Sequence, residues 1–404
     1  MRKEVFEGLK VLDFTWAVAG PWTVKYLADH GATVIHLESM KHLDILRTAP
    51  PIKGDKPNRN NSFYWANYHN NKLGFTINLK HPRASKFTAK LISWADVLVE
   101  NFTPGVMEKW GLSYGEVKRI KPDIVMVSQS QFGQTGPLAR MPGTGNQLTA
   151  YSSFNYLTGW PDRQPCGLYG GFTDCPAARF AAVALIVALL RRQRTGKGMY
   201  IDLSQYESGL HLLSPLFLDL QVNGRIAMRD GNKLSYAVPH GIYPCLGNDN
   251  WCAIAVFNDK QWTGLSKAIG TPAWTKHLKF STFLKRKKNE KELDRLISEW
   301  TANQTPKEAM QKLQKEGVPA GMVQKCEDLY NDPQLKHRGY FEKVEHPVLG
   351  ESFFESQAFK LSRSPKKLKR PAPLMGEHTE YVCREILQLS DDEFTELKNE
   401  GLFE

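Results

Sequence analysis

Residues 10–38 read KVLDFTWAVAGPWTVKYLADHGATVIHLE, and this stretch decides the fold. It opens with the short apolar run Lys10–Phe14, continues through a helix-like segment, Thr23–His30, and closes with a second apolar run, Thr33–Glu38. Two strand-length runs joined through one helix are typical of a right-handed βαβ unit, in which the strands lie parallel. Continuous apolar runs indicate strands that are buried on both faces. The stretch therefore predicts a parallel sheet covered by helices.

The alternation of strands and helices continues through the first half of the chain. The pattern predicts further strands at Asp96–Asn101, Asp123–Ser130 and Met199–Leu203, and helices at Pro82–Trp94 and Ser113–Ile120. A long apolar helix is expected from about Cys175 to Arg194, and Gly196 ends it. These elements predict an α/β large domain over residues 1–204.

The pattern changes after residue 204. Residues 205–225 predict a Leu-rich linker helix, and residues 226–330 predict a small α+β domain. A hairpin is expected over residues 241–256, with its turn at Gly-Asn-Asp-Asn, residues 247–250. Two helices should follow, the second of them capped by Thr305. Residues 331–404 form a C-terminal segment with an extended Pro/Lys-rich connector at 364–373 and an amphipathic helix over 378–400.

Composition narrows the class of protein. The 404 residues are 41% apolar and 24% charged, which is ordinary for a globular protein and unlike a disordered one. The net charge is +11, but the basic run at 276–295 is interleaved with acids and accompanies no nucleic-acid module, so we expect no nucleic-acid partner. No apolar run reaches about 18 residues, so we expect no membrane span. A signal peptide and C-x-x-C spacing are both missing, which predicts a cytoplasmic protein with free thiols.

Several familiar chemistries lack their motifs. The turn after the first strand, residues 15–21, has no G-x-G-x-x-G, so a dinucleotide-binding dehydrogenase is not indicated. Glu38 stands where a ribose-binding acid would, but a strand-end surface carboxylate explains it equally well. There is no H-E-x-x-H and no His/Cys pair at ligand spacing, so we expect no metal site. A serine-hydrolase G-x-S-x-G elbow is also missing.

Asp174 is the strongest candidate for chemistry. It stands at the entrance of the long apolar helix, shortly after Gly170 and Gly171. One interpretation is a simple helix N-cap. The other is an attacking carboxylate, held with its oxyanion by glycine amides and the helix N-terminus. Cys175 is a second candidate nucleophile, but no histidine partner can be assigned, which favours a structural thiol.

Seven stretches, in order along the chain, resemble the class III coenzyme A-transferases, the CaiB/BaiF family that includes formyl-CoA and carnitine CoA-transferases. Each is weak alone, and their common order makes the resemblance specific. They are EGLKVLDF (7–14) with AGP (19–21), GATVI (31–35), VENFTPG (99–105), FGQTGP (132–137), TGKG (195–198), GVPAG (317–321) and GEHT (376–379).

The resemblance implies an architecture and a nucleophile. The large domain would be Rossmann-like and built from both chain ends, with the small domain inserted through long linkers and two subunits interlocked as a homodimer. Asp174 matches the family's nucleophilic aspartate. It would attack an acyl-CoA thioester to give an aspartyl anhydride and then an aspartyl-CoA thioester, which passes CoA to a free carboxylic acid.

The resemblance also implies a CoA site without a permanently bound cofactor, since acyl-CoA is itself a substrate. The matching positions are Val18, Ala19, Ile77, Lys80, Asn101, Phe102, Lys109, Gly143 and Thr144. Lys109 keeps the charge of the family's basic residue but not the guanidinium fork. Ser39 stands where some members have an arginine, which leaves the contact to the 3′-phosphate open, with Lys41 and Arg47 nearby.

Two alternatives share this resemblance. α-Methylacyl-CoA racemases of the same family use a His and an Asp, but the loop that would supply the histidine has Thr144 instead, which is no general base near neutral pH. A non-catalytic CoA-binding protein is the other. Val18 stands where formyl-CoA transferase has a glutamine, so oxalate and formate are poor candidates. Aromatic residues near the pocket, Trp16, Tyr151, Phe154, Tyr156, Trp160 and Tyr169, would suit a bulky acid or simply core packing.

Overall fold

The computed structural model describes residues 4–404. Contacts divide the chain into two compact units. Among the described residues, the first comprises 4–156, 166–227 and 337–404, and the second comprises 157–165 and 228–336. The predicted domain limits at residues 204, 225 and 330 remain a proposal.

Strands and helices alternate along the first half of the chain. The strands within residues 4–404 are β1 Lys10–Asp13, β2 Thr33–Glu38, β3 Leu73–Thr76, β4 Val97–Glu100, β5 Val125–Ser130, β6 Met199–Ser204, β7 His240–Pro244, β8 Trp251–Ala255, β9 Ala320–Met322, β10 Phe341–His346 and β11 Gly350–Glu355. The α-helices are α1 Ala19–Ala28, α2 Phe63–His69, α3 Ala84–Trp94, α4 Val106–Lys109, α5 Tyr114–Ile120, α6 Gly145–Tyr151, α7 Phe154–Leu157, α8 Asp174–Thr195, α9 Gln205–Leu210, α10 Ser214–Asn223, α11 Asp259–Ala268, α12 Phe283–Lys288, α13 Glu290–Thr301, α14 Pro306–Lys315, α15 Cys326–Asn331, α16 Pro333–Arg338, α17 Thr379–Tyr381 and α18 Asp391–Asn399.

The first unit is built on a six-stranded parallel sheet in the order β3-β2-β1-β4-β5-β6. Leu12 of β1 pairs with Ile35 on one side and Leu98 on the other, and all three side chains are buried. The chain moves outward in one direction from β1 to β3 and in the other from β4 to β6. A crevice therefore opens at the carboxyl ends of β1 and β4, where sheets of this kind bind ligands. The predicted α/β fold with a Rossmann-like parallel sheet is confirmed.

Helices cover both faces of this sheet. Alternate residues of the strands, such as Val11 and Val127, pack with Leu27 of α1 and Leu185 of α8. The residues between them face α3 and the C-terminal segment, where Phe403 lies 5.1 Å from Phe87 between ring centroids. Because both faces are buried, the strands carry apolar residues at consecutive positions, which is the feature that made them predictable.

Some predicted elements differ in detail. The 205–225 helix is broken into α9, a 3₁₀ turn and α10, with Pro215 in the first turn of α10, where its missing N–H is tolerated. The single helix expected over 378–400 is also interrupted, since Gln388 has a positive φ and the Ser390 side chain starts α18 by accepting from Glu393 N–H. β3 was not predicted, because Leu-Gly-Phe-Thr is short and contains a glycine.

The second unit contains an antiparallel sheet in the order β7-β8-β9. The hairpin of β7 and β8 has the predicted turn. The hydrophobic core of the second unit includes Trp262, Phe280 and Leu293. Thr305 is the N-cap of α14, as the sequence predicted, and it also forms a capping box with Glu308. Within residues 4–404, no helix is long and apolar enough to cross a membrane.

Candidate active site

Two cavities lie in the first unit, at the carboxyl ends of the parallel strands. The Asp174 cavity, about 320 Å³, is lined by Asp174 and by residues that follow β1, β4 and β5. The Lys80 cleft, about 720 Å³, is lined by Lys80 and by residues that follow β1 to β4. Trp16 and Phe102 line both. Their ring centroids are 5.5 Å apart in an edge-to-face contact, so this pair forms a common wall.

Asp174 is the first residue of α8 rather than its N-cap. The N-cap is Thr173, whose side chain makes no capping hydrogen bond, and Asp174 N–H donates to Gly171 O at 2.9 Å. Within residues 4–404 the Asp174 carboxylate accepts no hydrogen bond, so capping does not explain it. Burial raises the pKa of Asp174 to about 7.

Two glycines pack directly against this carboxylate. A Cβ atom at Gly145 would lie 2.7 Å from Asp174 Oδ2, and one at Gly171 would lie 2.5 Å from the same atom. The Gly145 Cβ would also lie 2.8 Å from the Gly171 α-carbon. Since real Cβ atoms do not approach so closely, any side chain at either position would displace the carboxylate. The sequence indicated a role for Gly171 but not for Gly145.

The turn after β1 is held by Asn101. Its side-chain Oδ1 accepts from Trp16 N–H at 2.8 Å, and its Nδ2 donates to Trp16 O, also at 2.8 Å. A second anchor is Asp44, whose Oδ2 accepts from Ala17 N–H at 2.9 Å. Ala17 has a φ of +60°, a left-handed conformation that these two anchors stabilise. The Asn101 amide is thus engaged with the backbone of Trp16.

The predicted site residues separate between the two cavities. The Asp174 cavity brings together seven of them, which are Val18, Ala19, Asn101, Phe102, Gly143, Thr144 and Asp174. Ile77 and Lys80 line the Lys80 cleft, together with Phe102. Lys109 is exposed at the end of α4 and lines neither cavity.

The sequence did not single out several residues that line these spaces. Ser130, Gln131 and Gln205 supply polar groups to the Asp174 cavity. Tyr64 of α2 lies within electrostatic range of Asp174, since burial and then the charge of Asp174 raise the pKa of its phenol. Glu404 lines the Lys80 cleft from the far end of the chain. Contacts between residues so distant in sequence leave no local pattern.

Two charged residues beside the Lys80 cleft, Glu38 and Arg47, form an ion pair with each other. Glu38 is buried and pairs with both Nε and Nη2 of Arg47, at 2.7 and 2.5 Å, so it is no surface carboxylate. Arg47 also donates to Arg59 O at 2.7 Å and stacks on Trp65. The Arg47 guanidinium is therefore not free to bind a phosphate.

One buried group offers donor atoms for a metal ion. Asp13, His36 and His69 have such atoms within 4.8 Å of one another. However, the Lys72 ammonium lies 2.9 Å from Asp13 Oδ2, and His36 Nδ1 lies 3.0 Å from the same oxygen. A cation here would compete with the ammonium for one carboxylate, so the group is better suited to internal ion pairing than to metal binding.

Comparison with known proteins places this chain and its architecture in one family. The model of CoA-transferase family III matches residues 6–379. The succinyl-CoA–D-citramalate CoA-transferase of Chloroflexus aurantiacus is 32% identical, over 97% of this chain and 96% of the relative. The human succinyl-CoA:glutarate CoA-transferase is 29% identical, over 98% and 89%. A crystal structure of a CaiB/BaiF family protein from Brucella suis, 29% identical, has a TM-score of 0.87 and covers 96% of this chain and 100% of that one.

The chain therefore belongs to CoA-transferase family III. It is a class III CoA-transferase, and enzymes of this class use CoA thioesters as substrates. The resemblance to this family that the sequence motifs indicated is confirmed.

Proposed function

We propose that this enzyme transfers CoA from an acyl-CoA to a free carboxylic acid, with Asp174 as the covalent nucleophile. The observation that carries the proposal is that Asp174 is the only ionisable side chain among the described residues that line its cavity. A nucleophilic carboxylate can act alone in this way. A racemase needs a second group to return the proton, and the corresponding loop offers Thr144 and Gly145.

The proposed reaction is a series of exchanges at three carbonyl carbons, those of the donor acyl group, Asp174 and the acceptor acid. Asp174 Oδ attacks the thioester carbon, and the C–S bond breaks to give an aspartyl–acyl anhydride and CoA thiolate. The thiolate then attacks the Asp174 carbonyl carbon, which releases the donor acid and leaves an aspartyl-CoA thioester. The acceptor carboxylate attacks this thioester, giving a second anhydride and CoA thiolate, and the thiolate takes the acceptor acyl group and frees Asp174. Each step forms one bond, breaks one bond and needs no net proton transfer.

The surroundings of Asp174 suit such a nucleophile. No hydrogen bond from residues 4–404 stabilises the carboxylate, and burial raises its pKa to about 7. A carboxylate without these stabilising contacts is more basic and more nucleophilic than one on the surface. Gly145 and Gly171 leave the backbone close to the reacting oxygen, and their N–H groups are our candidates for holding the oxyanion.

We propose that CoA lies across the two cavities, as a substrate rather than a resident cofactor. Ile77 and Lys80 would contact the nucleotide portion in the Lys80 cleft. Val18, Ala19, Gly143 and Thr144 would line the path of the pantetheine arm toward Asp174. Phe102, which belongs to both cavities, would stand beside the arm where it passes between them. Lys109 would act only at longer range.

The relatives suggest which acyl donor to try first. The relatives from Chloroflexus aurantiacus and human are named for succinyl-CoA with D-citramalate and with glutarate. We therefore propose succinyl-CoA as a donor and a small dicarboxylic acid as an acceptor. The test is to incubate the enzyme with succinyl-CoA and a panel of dicarboxylic and aromatic acids, and to identify the new acyl-CoA by mass spectrometry. Hydrolysis to succinate and CoA with every acid, without any new thioester, would contradict the proposed activity.

We also propose that two copies associate as a homodimer. α8 and α10 carry a row of apolar side chains that the single chain leaves exposed, with Val183 at 60%, Val187 at 59% and Val222 at 78%. The others are Phe180, Ile186, Leu190, Phe217, Leu218 and Leu220. Exposed apolar surface of this extent is characteristic of an association interface. A second copy is the partner that the interlocked dimer of the family implies.

A further inference from the structure

Glu404 places its carboxylate inside the wall of the Lys80 cleft. Its Oε2 accepts hydrogen bonds from the Ser39 hydroxyl at 2.8 Å, from Met40 N–H at 2.6 Å and from Lys41 N–H at 3.3 Å. Its Oε1 lies 3.6 Å from the Lys41 ammonium. The Glu404 side chain is only 6% exposed, so the carboxylate is held firmly in this position.

The groups that hold Glu404 form an anion-binding concavity, which we call the 39–41 nest. Residues 39–41 directly follow β2 at the edge of the cleft. The Ser39 hydroxyl also accepts from Lys41 N–H at 3.2 Å, which keeps the turn closed. Successive N–H groups that converge on one point bind anions. A phosphate oxygen accepts hydrogen bonds from such groups in the same way as a carboxylate oxygen.

Neighbouring residues fix the backbone of Glu404 independently of its carboxylate. Phe403 packs against Phe75 and Phe87, with ring centroids 5.8 and 5.1 Å apart. The Thr76 hydroxyl donates to Glu404 O at 3.2 Å. Within residues 4–404, the polar contacts of the Glu404 carboxylate are all to residues 39–41, so another anion that binds these donors has to displace it.

We propose that the 39–41 nest is a subsite for a phosphate group of the CoA substrate, and that Glu404 occupies it until the ligand displaces the carboxylate. This inference rests on the proposed function, because it takes the Lys80 cleft as the nucleotide site. Glu404 is then a specificity-determining residue that lowers the affinity for phosphate-bearing ligands. Replacing it with Gln removes the competing charge and leaves the nest donors in place.

Calorimetric titration of three proteins with three ligands tests the inference. The proteins are the wild type, Glu404→Gln and the control Glu400→Gln, whose carboxylate pairs with Arg83 outside the cleft. The ligands are CoA, 3′-dephospho-CoA and pantetheine. We expect Glu404→Gln to bind CoA about tenfold more tightly, the scale of one charge-assisted contact, with pantetheine binding and Glu400→Gln unchanged. A gain for CoA alone assigns the nest to the 3′-phosphate, and an equal gain for 3′-dephospho-CoA assigns it to the diphosphate.

A second variant separates the nest from a general charge effect. Adding Ser39→Ala to Glu404→Gln removes a donor of the nest, so most of the gained CoA affinity should be lost. Unchanged or weaker CoA binding by Glu404→Gln, or an equal gain for pantetheine, overturns the inference while the proposed function stands. A wild type that binds no CoA contradicts both.

Discussion

The α-carbon of Gly171 and the carboxylate of Asp174 are in direct packing contact, because a Cβ atom at position 171 would lie 2.5 Å from Asp174 Oδ2. We predict that Gly171→Ala lowers the rate of CoA transfer by about 100-fold or more, the scale of losing a well-positioned catalytic group. Gly167→Ala is the matched control, since a Cβ at Gly167 would lie 3.8 Å from its nearest neighbour, an ordinary contact. The kcat of both variants measures the effect on activity, and circular dichroism checks that both variants are folded. Near wild-type activity of Gly171→Ala would show that the contact is not needed.

The pH dependence of the reaction should report the ionisation of the half-buried Asp174 carboxylate. The Asp174 nucleophile must be ionised, and its pKa is raised to about 7, so kcat/KM should rise with pH through about 7 and level off above it. Burial also raises the pKa of Glu100 to about 7, and Glu100 Oε2 accepts from Phe102 N–H at 2.7 Å. The profile of Glu100→Gln should therefore keep the same midpoint. A midpoint near pH 4, or one that disappears in Glu100→Gln, would show that the rise of kcat/KM with pH comes from a group other than Asp174.

The burial of Asp174 should make the folded protein less stable as pH rises, whereas activity should increase over the same pH range. A carboxyl whose folded-state pKa is raised destabilises the fold as pH increases from about 4, its unfolded value, to about 7. Asp174→Asn should therefore raise the melting temperature, and more so at pH 8 than at pH 4. Thermal melts at both pH values check this. A variant that melts lower than wild type at pH 8 would mean that the carboxylate is stabilised by contacts other than those seen here.

The two lysines predicted to bind CoA should behave differently. Lys80 lines the larger cavity, whereas Lys109 is exposed at the end of α4 and lines neither cavity. We expect Lys80→Ala to weaken CoA binding by about tenfold, and Lys109→Ala to weaken it by less than about threefold. Fluorescence or calorimetric titration distinguishes them. Equal losses would mean that CoA lies closer to α4 than we propose.

Much of this architecture could be predicted from the sequence, for a physical reason. Strands covered on both faces carry apolar residues at consecutive positions, so β2 was visible through Val34 and Ile35 and β5 through Val125–Val127. Thr305 was predicted as the N-cap of α14 from its residue type and the proline that follows it. β3 was not predicted, since its four residues include Gly74. Seven of the eighteen residues that line the Asp174 cavity were expected there, and they came from the family resemblance rather than from a local sequence pattern. The contact of Glu404 with residues 39–41 spans 363 positions or more and leaves no local trace.

The exposed apolar row on α8 and α10 should be the interface of a dimer. Val187→Glu places a charge in its middle, where Val187 is 59% exposed in the single chain, and should shift the protein toward monomer. Ser85→Glu, at an exposed position of α3, is the control of equal charge change. Light scattering after size-exclusion chromatography measures the mass. A wild type that is monomeric at micromolar concentration would contradict the dimer.

The central claim is that Asp174 is the covalent nucleophile, and its most direct test is the mass of the peptide that contains Asp174 after reaction. Incubation with succinyl-CoA and hydroxylamine should convert the aspartyl thioester or anhydride to a hydroxamate, found by peptide mass spectrometry at Asp174 and absent from Asp174→Asn. Cys175→Ala should still be modified. The recovered acyl-CoA, in deuterated water without acceptor acid, should gain no α-deuterium. Rapid α-deuteration with an unmodified Asp174 would contradict the account, because it would show a base that removes a proton rather than a nucleophile that carries CoA.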